Sequence, residues 1–128
     1  MKILIRTFSL LFMPLSLLAA SGDELSIPYA SVEEARAALQ SNPQAALTEH
    51  EGWQIYNLRK NGRYELWSFT PESHPANPSV VKRTLVKKNQ RLYIDMDIIC
   101  LSSQLLCDSL TADFNQINER IIKRESGN

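Results

Sequence analysis

The sequence predicts an α+β fold: an antiparallel meander sheet of four to five strands, with an N-terminal and a C-terminal helix packed on one face. Three observations predict it. Residues 91 to 100, RLYIDMDIIC, alternate apolar and polar side chains, the period of a half-buried strand. Lys60-Asn61-Gly62 separates two strand-like runs, and an Asn-Gly pair tolerates the positive φ of a tight hairpin. From Ser103 to Lys123, Leu106, Leu110, Phe114, Ile117 and Ile121 recur at three- and four-residue steps, the stripe of an amphipathic helix.

The elements follow in order. Ser31-Val32-Glu33-Glu34 has the form of a capping box, with Ser31 as N-cap and Glu34 reaching back. Good helix formers occupy 32 to 41, with Val32, Ala35 and Leu39 on one stripe. Asn42-Pro43 ends the helix, because proline disfavours helical backbone in the residue before it. Ala45 to Glu49 is a weak strand candidate and Trp53 to Arg59 a stronger one. Arg63 to Thr70 returns from the hairpin with two faces of similar polarity, so its orientation stays open. A proline-rich loop, Pro71, Pro75 and Pro78, leads to a strand from Val80 to Lys87. Lys88-Asn89-Gln90 turns the chain into the strand of 91 to 100. Residues 125 to 128, ESGN, are expected to form a frayed tail.

Residues 1 to 22 read as a secretory signal peptide. Lys2 and Arg6 form a basic front, an apolar run follows to Leu18, and small residues occupy 19 to 22. The apolar run falls short of the roughly 20 residues that span a bilayer as a helix, and Pro14 interrupts it. Cleavage would leave a single domain of about 108 residues, periplasmic or secreted, with no stable membrane insertion.

Removing the leader shifts the charge. The chain has 14 Lys and Arg against 14 Asp and Glu. Lys2 and Arg6 leave with the leader, so 12 cations face 14 anions, a net charge of −2. That excess argues against nucleic acid as a partner, whose phosphates demand a basic field, and equally against a polybasic membrane-surface protein. Cys100 and Cys107 are the only cysteines. In an oxidising compartment they are expected to form a disulfide, stabilising by about 2–3 kcal/mol. Metal binding and redox catalysis are the weaker readings. The histidines lie far off in sequence, and the spacing exceeds the two residues of a redox pair.

LWSFTPESHPANPSVVKR and the later YIDMDIICLSSQLLCDSLTADFNQINER resemble a family of small exported proteobacterial proteins. Its members share a W-S-F-T-P segment, H-P-A, V-K-R, a cysteine pair and a final amphipathic helix. The resemblance covers roughly residues 53 to 122. It implies an exported chain, and the family, having no established activity, supplies no catalytic residues.

The chemistry-bearing residues are sparse. No Gly-rich phosphate loop, zinc-protease motif or cysteine–histidine nucleophile pattern is present, and no cofactor or metal is expected. His74 lies in the proline-rich loop, where a titrating side chain suits a general base or a plain turn. His50 sits at a turn between Glu49 and Glu51. Asp95 and Asp97 share one strand face about 7 Å apart, a pair suited to acid–base work or to plain solvation. Trp67, Phe69, His74, Arg83 and Tyr93 are the candidate binding residues, since exposed Trp, Tyr and Arg dominate binding hot spots. A loop stiffened by prolines loses little entropy on binding. The sequence therefore reads as a non-catalytic binding protein that engages another protein or an envelope component, in the manner of an inhibitor or immunity protein. The alternative is a small periplasmic hydrolase using His74 with Asp95 or Asp97.

Overall fold

The computed structural model describes residues 24–127. The expected signal peptide at 1–22 lies outside the described residues. The element order is α1 (Val32–Gln40), β1 (Ala46–His50), β2 (Trp53–Lys60), β3 (Arg63–Phe69), β4 (Ser79–Lys88), β5 (Arg91–Cys100) and α2 (Gln104–Ser126). The five strands form one antiparallel sheet in sequence order, β1-β2-β3-β4-β5. This is the α+β meander the sequence predicts.

Three two-residue hairpin turns set the register. Glu51-Gly52, Asn61-Gly62 and Asn89-Gln90 all have positive φ at both positions, the type I′ geometry whose twist matches the flanking strands. They join His50 to Trp53, Lys60 to Arg63 and Lys88 to Arg91 as paired residues. The longer connection, 70–78, separates β3 from β4.

The helices do not share a face, as the sequence reading had them; they take opposite faces. Val32, Ala35 and Leu39 of α1 pack on Tyr56, Leu58, Trp67, Phe69 and Val80. Leu110 and Phe114 of α2 pack on Ala76 and Val81, with Trp53, Met96 and Ile98 around them. Val80 and Val81 are neighbours on β4, so their side chains point to opposite sides of the sheet. The sheet carries two apolar sets, and one helical layer covers only one of them. The consequence is plain in β4, where every residue from Ser79 to Thr84 is buried. β1, at the sheet edge, is exposed along its whole length.

Both helices are capped as their sequences suggest. The Ser31 hydroxyl accepts from Glu34 N at 3.1 Å, while the Glu34 carboxylate accepts from Ala30 N. Ser103 caps α2 by accepting from Leu106 N. α2 continues through Ser126 rather than fraying at 125. Lys123 and Arg124 in its last turn complement the negative end of the helix dipole, and the Ser126 hydroxyl donates to Ile122 O at 2.8 Å.

Candidate functional site

The expected binding residues scatter. Trp67 and Phe69 are core residues beneath α1, and Phe69 is fully buried. Arg36 lies over the Phe69 ring at 4.4 Å, and Tyr29 tilts against Trp67 at 5.9 Å. Arg83 is buried on the opposite side, its guanidinium 5.1 Å from the Phe114 centroid and its Nη1 donating to Asn118 Oδ1. Burial pushes the Arg83 pKa below its usual value. Tyr93 alone among the five is well exposed, at 48%. The expectation of a shared surface fails because a second helical layer covers the face that was expected to be open.

His74 and the two aspartates also separate. Asp95 and Asp97 pair with Thr84 and Lys82 on the α1 side. His74 stacks edge-on against Trp53 at 5.2 Å on the α2 side, where Trp53 meets Phe114. The sheet lies between base and acid, beyond hydrogen-bond reach. Asp97 is engaged elsewhere, accepting from Ile27 N and Ile98 N. His74 Nδ1 accepts from Ala76 N at 3.0 Å, so this nitrogen is used inside the loop.

The proline-rich loop turns Ala76 inward. Thr70 closes its neck: its hydroxyl accepts from Ser79 N at 3.0 Å and lies 3.0 Å from Asn77 Oδ1. The Ser79 hydroxyl donates to Ala76 O. His74 N donates to Pro71 O and Asn77 N to His74 O. The Asn77–Pro78 peptide is cis. Ala76 is buried against α2. The loop thus wedges Ala76 between sheet and helix while Glu72, Ser73, Pro75 and Pro78 stay exposed along its rim.

What the wedge supports is the segment after β5. Leu101 N donates to Pro78 O, and the Ser102 hydroxyl donates to Pro75 O at 3.1 Å. Cys100 and Cys107 form the expected disulfide across this segment, with Cα atoms 5.8 Å apart. On it sit the two most exposed large apolar side chains of the described residues, Leu101 at 62% and Leu105 at 79%. Sequence reasoning missed both. The signal was present: Leu105 falls off the helical stripe begun by Leu106, so it faces away from the sheet. The charges around them are of one sign. Turn 49–52, loop 70–78 and segment 101–109 contain Glu49, Glu51, Glu72 and Asp108 and no Lys or Arg.

A second feature lies under α1. A cavity of about 370 Å³ has Glu65, Trp67 and Lys82 among the residues lining it and is bordered by 24–29. Lys82 is 3% exposed. Its ammonium donates to Glu24 O at 2.8 Å and Ser26 O at 3.0 Å, and faces Glu65 Oε2 at 3.7 Å. Glu65 Oε1 accepts from Trp67 Nε1. Burial lowers the Lys82 pKa, an effect that Glu65 opposes. A buried lysine of lowered pKa in a cleft is a recurrent catalytic arrangement. Here its protons are held by two carbonyls and a carboxylate, so the group acts as a clasp holding residues 24–26 to the sheet.

No group of three or more His, Cys, Asp or Glu among the described residues is placed to hold a metal ion, and none of the described helices is long and apolar enough to cross a membrane. Compared with family models, curated proteins and solved structures, the chain matches none of them.

Proposed function

We propose that this protein is a non-catalytic binding module, exported to the periplasm or beyond, that docks a protein partner through the end carrying the disulfide. One observation carries the reading: Leu101 and Leu105 stand in solvent on a segment that the disulfide, the Ser103 cap and the proline-rich loop hold fixed. Exposed large apolar side chains mark interaction sites when they are grouped, and a fixed segment sacrifices little entropy on docking. The surrounding carboxylates select a partner with an apolar pocket and a basic rim. An inhibitor or immunity protein fits this description. With His74 and the aspartates on opposite sides of the sheet, this reading is preferred to a hydrolase built on His74 with Asp95 or Asp97.

The test is affinity capture from envelope extract with wild type and a Leu101→Asp, Leu105→Asp double variant. Both leucines are exposed, so the variant keeps its urea midpoint. The expected result is one saturable species held by the wild type and lost by the variant. Retention of the same species by both would overturn the reading.

A further inference from the structure

The net charge of the chain hides a strong separation of charge. The two hairpin tips joining β2 to β3 and β4 to β5 read RKNGR (59–63) and KKNQR (87–91). Each presents two cations, a type I′ turn and a third cation. In an antiparallel meander both tips fall at the same end of the sheet, about 10 Å apart across two strand spacings. α2 runs back along β5 and ends beside them: Lys87 Nζ lies 3.9 Å from Glu125 Oε2. Its last two turns add Arg120, Lys123 and Arg124. Nine cations thus gather at this end, against the three carboxylates of Glu24, Glu119 and Glu125. Of these nine, Arg63, on Glu24, and Lys87, on Glu125, form ion pairs among the described residues. Lys60, Lys88, Arg91, Lys123 and Arg124 are exposed.

The cations do not stand alone. Between the second tip and the end of α2 is a hollow of about 490 Å³, with an apolar part from Leu92 and Ile122 and a rim from Lys87, Arg91, Tyr93 and the Glu125 carboxylate. We propose that this end docks on an anionic bilayer surface, the two tips and the helix end meeting headgroup phosphates while Tyr93 and the Leu92–Ile122 hollow settle at the interface. Three features favour a bilayer over nucleic acid. The cations sit on three separate tips at one end of the sheet rather than along a continuous groove lined by one element. An exposed tyrosine at the same end, on the opposite side of β5 from Leu92, suits the boundary between headgroups and hydrocarbon. The acidic end, with Glu49, Glu51, Glu72 and Asp108, lies at the far end of the strands and points away from the surface only in end-on contact. Polybasic contacts of this kind each add about 1 kcal/mol at a charged surface and fade within a Debye length.

The test is co-sedimentation of the full chain with vesicles of phosphatidylcholine alone or mixed with phosphatidylglycerol. Phosphatidylcholine vesicles report any contribution of the apolar residues near the N-terminus, which is common to all variants. The wild type is expected to favour the anionic vesicles and to be released from them by salt. Lys60→Glu, Lys88→Glu and Lys123→Glu together, one from each element, should reduce that preference on the order of a hundredfold, with an unchanged circular dichroism spectrum. The salt response of the wild type tests the proposal even if the triple variant misfolds. Equal partition into both vesicles, insensitivity to salt, or tighter binding to a duplex oligonucleotide than to anionic vesicles at the same salt would overturn it. None of these readouts depends on Leu101 or Leu105.

Discussion

The two ends of the sheet are built from the same kind of chain reversal and differ in nearly everything else. At one end the β1–β2 turn, the proline-rich loop and the disulfide segment interlock through Pro71, Pro75 and Pro78, and the exposed charge is negative. At the other, two hairpin tips and a helix end stand apart around hollows, and the charge is positive. The difference teaches that net charge is a poor guide to partners when a meander sorts its loops by end. Fourteen cations against fourteen anions argue against a body that is basic throughout. They say nothing about a cationic pole, because alternate connections of an antiparallel sheet collect at opposite ends.

The largest effect is expected between the ends, in the frame they share. Trp67→Ala removes a side chain that is 3% exposed, its contact with Tyr29 and its hydrogen bond to Glu65. The loss should be about 3–5 kcal/mol, read from a urea melt. A loss of less than about 1 kcal/mol would show that α1 and the segment 24–29 close over the gap. Partner or vesicle binding that fails in this variant would report unfolding of the frame, so Trp67 cannot discriminate between the ends.

Next in size is the disulfide. Cys100→Ser with Cys107→Ser should cost about 2–3 kcal/mol from the short loop released in the unfolded chain. Its local signature sharpens the comparison. Amide exchange should quicken at 70–79 and 100–107, where the wedge and the disulfide segment support one another, and stay unchanged at 59–63 and 87–91. Equal quickening at the hairpin tips would show that the two ends are not independent.

Lys82, in the frame between the ends, gives the fold a pH dependence. Its folded pKa lies below the ordinary lysine value because burial disfavours the charged form. Between the folded and unfolded values, the unfolded chain binds more protons, so stability rises with pH across that window. Below it, both states carry the charge and the full desolvation cost remains. Lys82→Met should flatten this alkaline rise in urea midpoint. It should also leave Glu65 without its ion pair and release 24–26, so the variant is less stable at neutral pH. An unaltered pH profile would show that Lys82 is not the titrating group.

How much of this was legible follows the same physics. Local signals placed every strand and helix within a few residues, because capping serines, Asn-Gly and period-two alternation act over short ranges. The disulfide was legible from the strand end and the helix stripe. The covering of both faces was not. Lys82-Arg83 reads as a solvated basic pair, yet these neighbours are buried on opposite sides, one clasping the segment 24–26 and the other stacked on Phe114. Only tertiary packing decides that. Trp67 and Phe69 were mistaken for surface because a sheet was expected to have a wet face, whereas Leu105 could have been found from its place off the stripe. The cationic pole was written twice in sequence, as RKNGR and KKNQR, and needed the strand order to become one surface.

The smallest effect isolates the two ends most directly. Gly52 and Gly62 hold the same second position of the same turn type, at φ +84° and +74°. Alanine at either position suffers the left-handed backbone cost, about 1–2 kcal/mol. At Gly62 a Cβ meets nothing within 4 Å, whereas at Gly52 it lies 3.1 Å from the Pro71 Cβ. Pro71 cannot swing aside as a flexible side-chain end would, because its ring is part of the backbone of the wedge. Gly52→Ala should therefore be the more destabilising of the two, by several tenths of a kcal/mol to about 1 kcal/mol. The excess should vanish when Pro71→Gly is added, in a double-mutant cycle on urea midpoints. Equal costs at the two glycines would mean that the loop end yields as freely as the hairpin tips, and that its apparent rigidity, on which docking through Leu101 and Leu105 depends, belongs to the disulfide alone.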